Sequence, residues 1–101
     1  MDRRVVITGL GVVSPIGNTV EEMWDGIKTN KCGIDEITQI DTSTFKTKLA
    51  AEVKGYNPLE HFEAKSAKRL DRVSQFAMVA AREALKDSNM TEENTNFNNV
   101  G

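Results

Sequence analysis

The chain has 101 residues, 39% of them hydrophobic and 28% charged, with a formal net charge of −2. That is the composition of one globular domain rather than of a disordered tail, and the charge argues against wholesale nucleic-acid binding. One cysteine (Cys32) and one histidine (His61) make neither a disulfide nor a zinc site, and no stretch approaches the ~18 consecutive apolar residues of a membrane span.

The N-terminus, M-D-R-R-V-V-I, is basic and then apolar. Its apolar part is β-branched and broken by glycine, with no A-x-A-like site after it, so it reads as part of the fold of a cytoplasmic protein and not as a signal peptide. Arg3–Val13 carries Val5, Val6, Ile7, Leu10, Val12 and Val13, which predicts a strand buried on both faces of a parallel or mixed sheet. Within it Gly9-x-Gly11 is followed by Val12, Val13, Ser14 and Pro15. The third glycine of a dinucleotide fingerprint is missing, no helix can start there, and no Lys-Ser/Thr pair supplies a Walker loop. Nucleotide binding is excluded. The glycines instead let something pack closely over the strand or permit a bulge.

Asn18-x-x-Glu21 or Thr19-x-x-Glu22 offers a capping box for a helix over about 19–30, with Met23, Trp24 and Ile27 facing inward and Gly33 as its stop. Asp35–Lys48 reads as a polar loop with room for a short strand. Leu49–Lys54 predicts a strand, and Gly55-Tyr-Asn-Pro58 the turn after it. Ser66–Ser88 predicts one long helix, since Leu70, Val73, Ala77, Ala80 and Ala84 recur at helical spacing. From Phe76 the run F-A-M-V-A-A is apolar all round, so this helix calls for cover on every side, more than 101 residues readily supply.

Lys65, Lys68, Arg69 and Arg72 fall at i, i+3, i+4 and i+7, one face of the start of that helix. Cations at a helix N-terminus oppose the macrodipole at a cost of about 0.3–1 kcal/mol each, so helix stability does not explain them. The pattern fits a solvated face and equally a surface for an acidic partner.

V-V-I-T-G-L-G-V-V-S-P-I-G-N, a helix with Trp24, then C-G-I, D-T-S-T-F-K-T-K-L-A-A-E-V-K and K-R-L-D-R-V-S-Q-F-A-M-V-A-A-R-E-A-L together resemble the amino terminus of β-ketoacyl-[acyl-carrier-protein] synthases, most nearly the type called synthase II. The resemblance covers essentially the whole chain. It implies an α/β fold, the N-terminal part of a thiolase-like αβαβα layered sandwich, with residues 1–101 an incomplete first part of the first half-domain. It also implies fatty-acid elongation by decarboxylative Claisen condensation, a homodimer, and acyl carrier protein as partner. Phosphopantetheine then belongs to the carrier, and no cofactor is bound by this chain.

In that family a cysteine in a T-A-C-like motif takes the acyl chain, and histidines in H-G-T and G-H motifs assist decarboxylation. Cys32 sits in N-K-C-G-I, after a helix C-terminus that disfavours an anion, and His61 sits in L-E-H-F. Neither matches, so the resemblance places no catalytic residue in this chain. It does place Lys65, Lys68 and Arg69 in the carrier-protein docking patch, and gives Arg72 no matching role. Two alternatives stand beside it: a stand-alone module that binds an acidic helical partner through the basic face, and a ketosynthase domain of polyketide synthesis.

Overall fold

The computed structural model describes residues 2–101. Helix α1 spans Val20–Lys28, strands β1 and β2 span Ile34–Glu36 and Leu49–Ala51, and helices α2 and α3 span Ala64–Arg69 and Arg72–Ser88. Single 3₁₀ turns occur at Pro58–Glu60 and Phe97–Asn99.

The first segment corrects one expectation and explains another. Arg3–Val13 joins no sheet among the described residues, and Val5 and Ile7 are 94% and 83% exposed. A strand is a relation between neighbours, and apolarity alone supplies no ladder partner. The segment runs instead over α3: the Leu10 N–H donates to Asp87 Oδ2 at 3.0 Å and the Val12 N–H to Glu83 Oε1 at 2.9 Å. Here the glycines find their reason. A Cβ on Gly11 would run into the Ala80 carbonyl oxygen and lie 2.8 Å from Ala84 N; one on Gly9 would run into the Ala84 carbonyl and lie 2.7 Å from Ser88 N. The close packing expected of these glycines is there, against a helix.

Helix α1 starts at the second of its two possible boxes. Thr19, in extended conformation, accepts from Glu22 N at 3.1 Å, and its hydroxyl lies 3.5 Å from the Glu22 carboxylate. Asn18 donates to the Lys54 carbonyl instead, at 2.8 Å. The stop is not Gly33. Thr29 caps the helix and Asn30 takes the left-handed conformation, φ 56°, while Gly33 is buried against Pro15, whose Cβ a side chain there would meet at 2.8 Å. Asn can take this role because its short polar side chain tolerates positive φ. Nor do Trp24 and Ile27 face inward: Trp24 is 57% exposed and Ile27 is also exposed, whereas Gly26 is the buried residue, against Ile16.

β1 pairs antiparallel with β2, Ile34 opposite Ala51 and Glu36 opposite Leu49, so the second strand is shorter than the expected Leu49–Lys54. Just beyond it the Glu52 carboxylate accepts from Thr38 N (3.0 Å), Thr38 Oγ1 (3.0 Å) and Gln39 N (3.2 Å). The Thr38 N–H, foremost among these donors, holds the Glu52 carboxyl below its ordinary range. Gly55 then turns the chain with φ 67°.

The single helix expected over Ser66–Ser88 is two. Leu70 (ψ 132°) and Asp71 (ψ 156°) are extended, and α3 begins afresh with Asp71 at its N-cap position and its carbonyl accepting from Gln75 N at 2.9 Å. Asp is a favoured residue at such a position even where, as here, its side chain makes no capping bond.

Little of this is enclosed. The chain exposes 8483 Å², where a compact monomer of its mass exposes about 5,700 Å². Its radius of gyration is 17.3 Å, against about 13 Å for a compact chain of this length. Phe62 is the buried large hydrophobic residue among those described, and Val73 on α3 is 73% exposed. These residues cover only part of the apolar helix: Val79, Ala80 and Ala84 are half-buried, while Val73, Ala77 and Met78 are exposed.

Candidate functional site

The three cations Lys65, Lys68 and Arg69 lie on α2, all exposed, at a spacing that keeps them on one side of a short helix. The elbow at Leu70–Asp71 removes Arg72 from that face. Its guanidinium stacks over Phe76 (4.9 Å) and Tyr56 (5.5 Å), so it serves as a packing residue of α3 and not as the fourth member of a stripe. The elbow also changes the electrostatics. Lys68 and Arg69 stand in the last turn of α2, where the macrodipole favours cations, and not at the start of a long helix where it opposes them. The expectation that helix stability leaves these charges unexplained therefore fails for those two. Lys65, in the first turn, still runs against the dipole. Among the described residues the one ion pair is Lys28–Asp25 at 3.3 Å, so all three α2 cations face solvent without an acidic partner.

Underneath α2 is a polar knot that the sequence reading did not single out. Gln75 is the buried polar residue among those described, 4% exposed. Its Nε2 donates to the carbonyls of Leu70 (2.9 Å) and Ala67 (3.0 Å), and its Oε1 accepts from the Tyr56 hydroxyl (2.6 Å). Burial raises the Tyr56 phenol above its ordinary value, with the Arg72 cation pulling the other way. The Tyr56 ring meets Phe76 edge-on at 5.0 Å and stacks on His61 at 5.6 Å. The only available signal was a glutamine at the edge of the apolar run that begins at Phe76, which by itself names no partner.

Of the two remaining chemical residues, Cys32 takes no part in this knot and His61 borders it. Cys32 is a free, exposed thiol whose Sγ approaches the Ile34 carbonyl at 4.0 Å. The His61 ring packs on Tyr56, while its backbone carbonyl accepts from Arg82 Nη1 at 2.7 Å. No group of three or more His, Cys, Asp or Glu side chains able to hold a metal occurs among the described residues, and no helix among them is long and apolar enough to cross a membrane.

Residues 2–101 match the family described as "Beta-ketoacyl synthase, N-terminal domain". The "3-oxoacyl-[acyl-carrier-protein] synthase 2" of Staphylococcus aureus (strain N315) is 44% identical over 100 residues, which cover 99% of this chain and 24% of that protein. The protein of the same name from Coxiella burnetii (strain RSA 493 / Nine Mile phase I) is 48% identical over 99 residues, 98% of this chain and 24% of its own length. Among solved structures, "The ishigamide ketosynthase/chain length factor" superposes with a TM-score of 0.77 at 38% identity, over 90% of this chain and 23% of that one. The chain thus spans about a quarter of the length of these relatives. With the family matched from end to end of the described residues, and near-half identity to synthases of one type, the chain belongs to the beta-ketoacyl synthase family, as an N-terminal domain segment of the synthase II kind.

Proposed function

We propose that this chain is the amino-terminal part of a 3-oxoacyl-[acyl-carrier-protein] synthase that elongates fatty acids. The observation that supports the reading is the end-to-end family match at 44–48% identity to synthase 2 relatives. In the whole enzyme a cysteine thiolate takes the acyl group from carrier-bound phosphopantetheine and releases the carrier thiol. Malonyl-carrier protein then loses carbon dioxide, and the resulting carbanion attacks the acyl-enzyme carbonyl. The cysteine thiolate departs and 3-oxoacyl-carrier protein remains. These residues supply scaffold and no reacting group, so the chain alone is expected to be inactive. It binds no cofactor of its own, the enzyme works as a cytoplasmic homodimer, and residues 1–101 form the incomplete start of its first half-domain.

Its partner is the acyl carrier protein, and Lys65, Lys68 and Arg69 dock it. Three unpaired cations on one short helix suit the strongly acidic surface of such a carrier, steering encounter and fixing orientation. Two measurements test the reading. The full-length gene product, given acyl- and malonyl-carrier protein, should release carbon dioxide and form 3-oxoacyl-carrier protein; a product that does neither is not a condensing enzyme. Lys68→Glu with Arg69→Glu in that product should raise the KM for acyl-carrier protein on the order of tenfold at low salt and flatten its dependence on ionic strength. Wild-type turnover on carrier-protein substrate would remove the docking role.

A second reading, a ketosynthase of polyketide assembly, draws on the 38% identity to the ketosynthase/chain length factor. The product separates the two: one condensation per cycle for fatty-acid elongation, successive unreduced condensations for polyketide assembly.

A further inference from the structure

α2 is six residues long and has no side-chain cap at its start. Isolated helices are marginal in water below about 12–15 residues, so its geometry has to be imposed from outside. The last carbonyls of a helix lack intrahelical partners. In α2 one of them, on Ala67, is taken up by Gln75 Nε2 at 3.0 Å, and the same nitrogen holds the Leu70 carbonyl at 2.9 Å. Both partners are acceptors only, so the donor must be the amide nitrogen, and its two hydrogens are both used. The Tyr56 hydroxyl holds the other end of the amide at 2.6 Å. The two pinned carbonyls, on residues 67 and 70, flank Lys68 and Arg69 in the chain. Gln75 therefore fixes the backbone on either side of both cations from within α3, where it is 4% exposed.

We infer that Gln75 is a positioning residue for the carrier-protein dock, its buried amide holding the turn that presents Lys68 and Arg69. The inference rests on the docking role proposed above for those cations. Charge draws the carrier in, and the amide sets the direction from which the charge is presented.

The test uses the full-length enzyme with two acyl donors, acyl-carrier protein and an acyl-pantetheine thioester that has no protein to dock. Gln75→Leu removes both donors and the acceptor at similar size; Gln75→Glu keeps the shape and sets an oxygen against two carbonyls. Both should raise the KM for acyl-carrier protein by roughly threefold to tenfold, the scale of a lost buried hydrogen bond. Turnover of the pantetheine thioester should be unchanged. Because every charge on α2 is retained, the Gln75→Leu KM should still rise with salt as in the wild type, unlike the double charge reversal. An unchanged KM overturns the inference, as does equal loss with both donors, which marks a general effect on folding. If Gln75→Leu does not accumulate, Tyr56→Phe removes the 2.6 Å bond alone. It should raise the carrier KM about twofold, and no rise overturns the inference. Should charge reversal raise the KM and Gln75→Leu not, the positioning role alone fails. Should charge reversal leave the KM unchanged, the docking reading fails and this inference with it.

Discussion

Gly11 and Gly55 are both glycine for reasons of backbone, but not the same reason. A Cβ on Gly11 strikes the Ala80 carbonyl of α3, and neither group can yield. At Gly55 there is space, with Asn18 Nδ2 the nearest group at 4.0 Å, and the constraint is φ 67°. Gly11→Ala should therefore cost about 3 kcal/mol through overpacking, and Gly55→Ala about 1 kcal/mol through conformation. Asn at 55 should recover part of that loss, whereas Ser at 11 should do no better than Ala. Denaturant midpoints of the four variants in the full-length protein check this, and equal losses at the two positions would refute it. From the sequence, Gly9 and Gly11 serve close packing or a bulge and not a phosphate, and the structure shows the first. The sequence could not show what packs there, because Gly11 meets Ala80 and Gly9 meets Ala84, on a helix far along the chain; the adjoining Val12–Glu83 bond spans 71 positions.

The helices are tied together by side chains rather than by an apolar seam. Glu83 on α3 accepts from Val12 N (2.9 Å) with one oxygen and from Val20 N (3.1 Å) with the other. Val20 is the first residue of α1, so the carboxylate also sits at the positive end of that helix's dipole. Glu83→Gln removes the charge and turns one acceptor into a donor facing an N–H. It should lower stability by about 2 kcal/mol, read as a drop in the melting temperature of the full-length protein. Asp87→Asn should cost less, since its single bond to Leu10 N is exposed. The elbow between α2 and α3 was the feature least legible in the sequence. Leu70 kept the helical spacing, and the residues around it all tolerate a helix. Asp71 is a favoured N-cap residue, but only Gln75, reaching back to two carbonyls, shows why the chain breaks there. By contrast the start of α1 was legible, because a capping box lies wholly within four residues.

For the whole molecule the decisive quantity is surface. An exposure of 8483 Å² is about half as much again as a compact chain of this mass presents. The excess includes Val5, Val6, Ile7 and Val73. The need of the alanine-rich helix for outside cover was readable from F-A-M-V-A-A, since a helix apolar all round has no solvent face. The layers of a sandwich came from the family resemblance alone, and the described residues form one two-stranded sheet. Residues 1–101 expressed alone should bind a hydrophobic dye, associate, and melt without a sharp transition. A monomer with cooperative unfolding would show that the segment stands by itself, as the interaction-module reading requires.

The tie between Leu10 and Asp87 spans 77 positions. On the ribosome, at about 5–20 residues per second, the first segment waits roughly 4–15 s for the helix that receives it. Throughout that interval L-G-V-V, residues 10–13, the part of the segment that α3 receives, has nothing to hold it. Chaperone occupancy on stalled nascent chains should therefore be high until α3 has left the exit tunnel and should fall once it has.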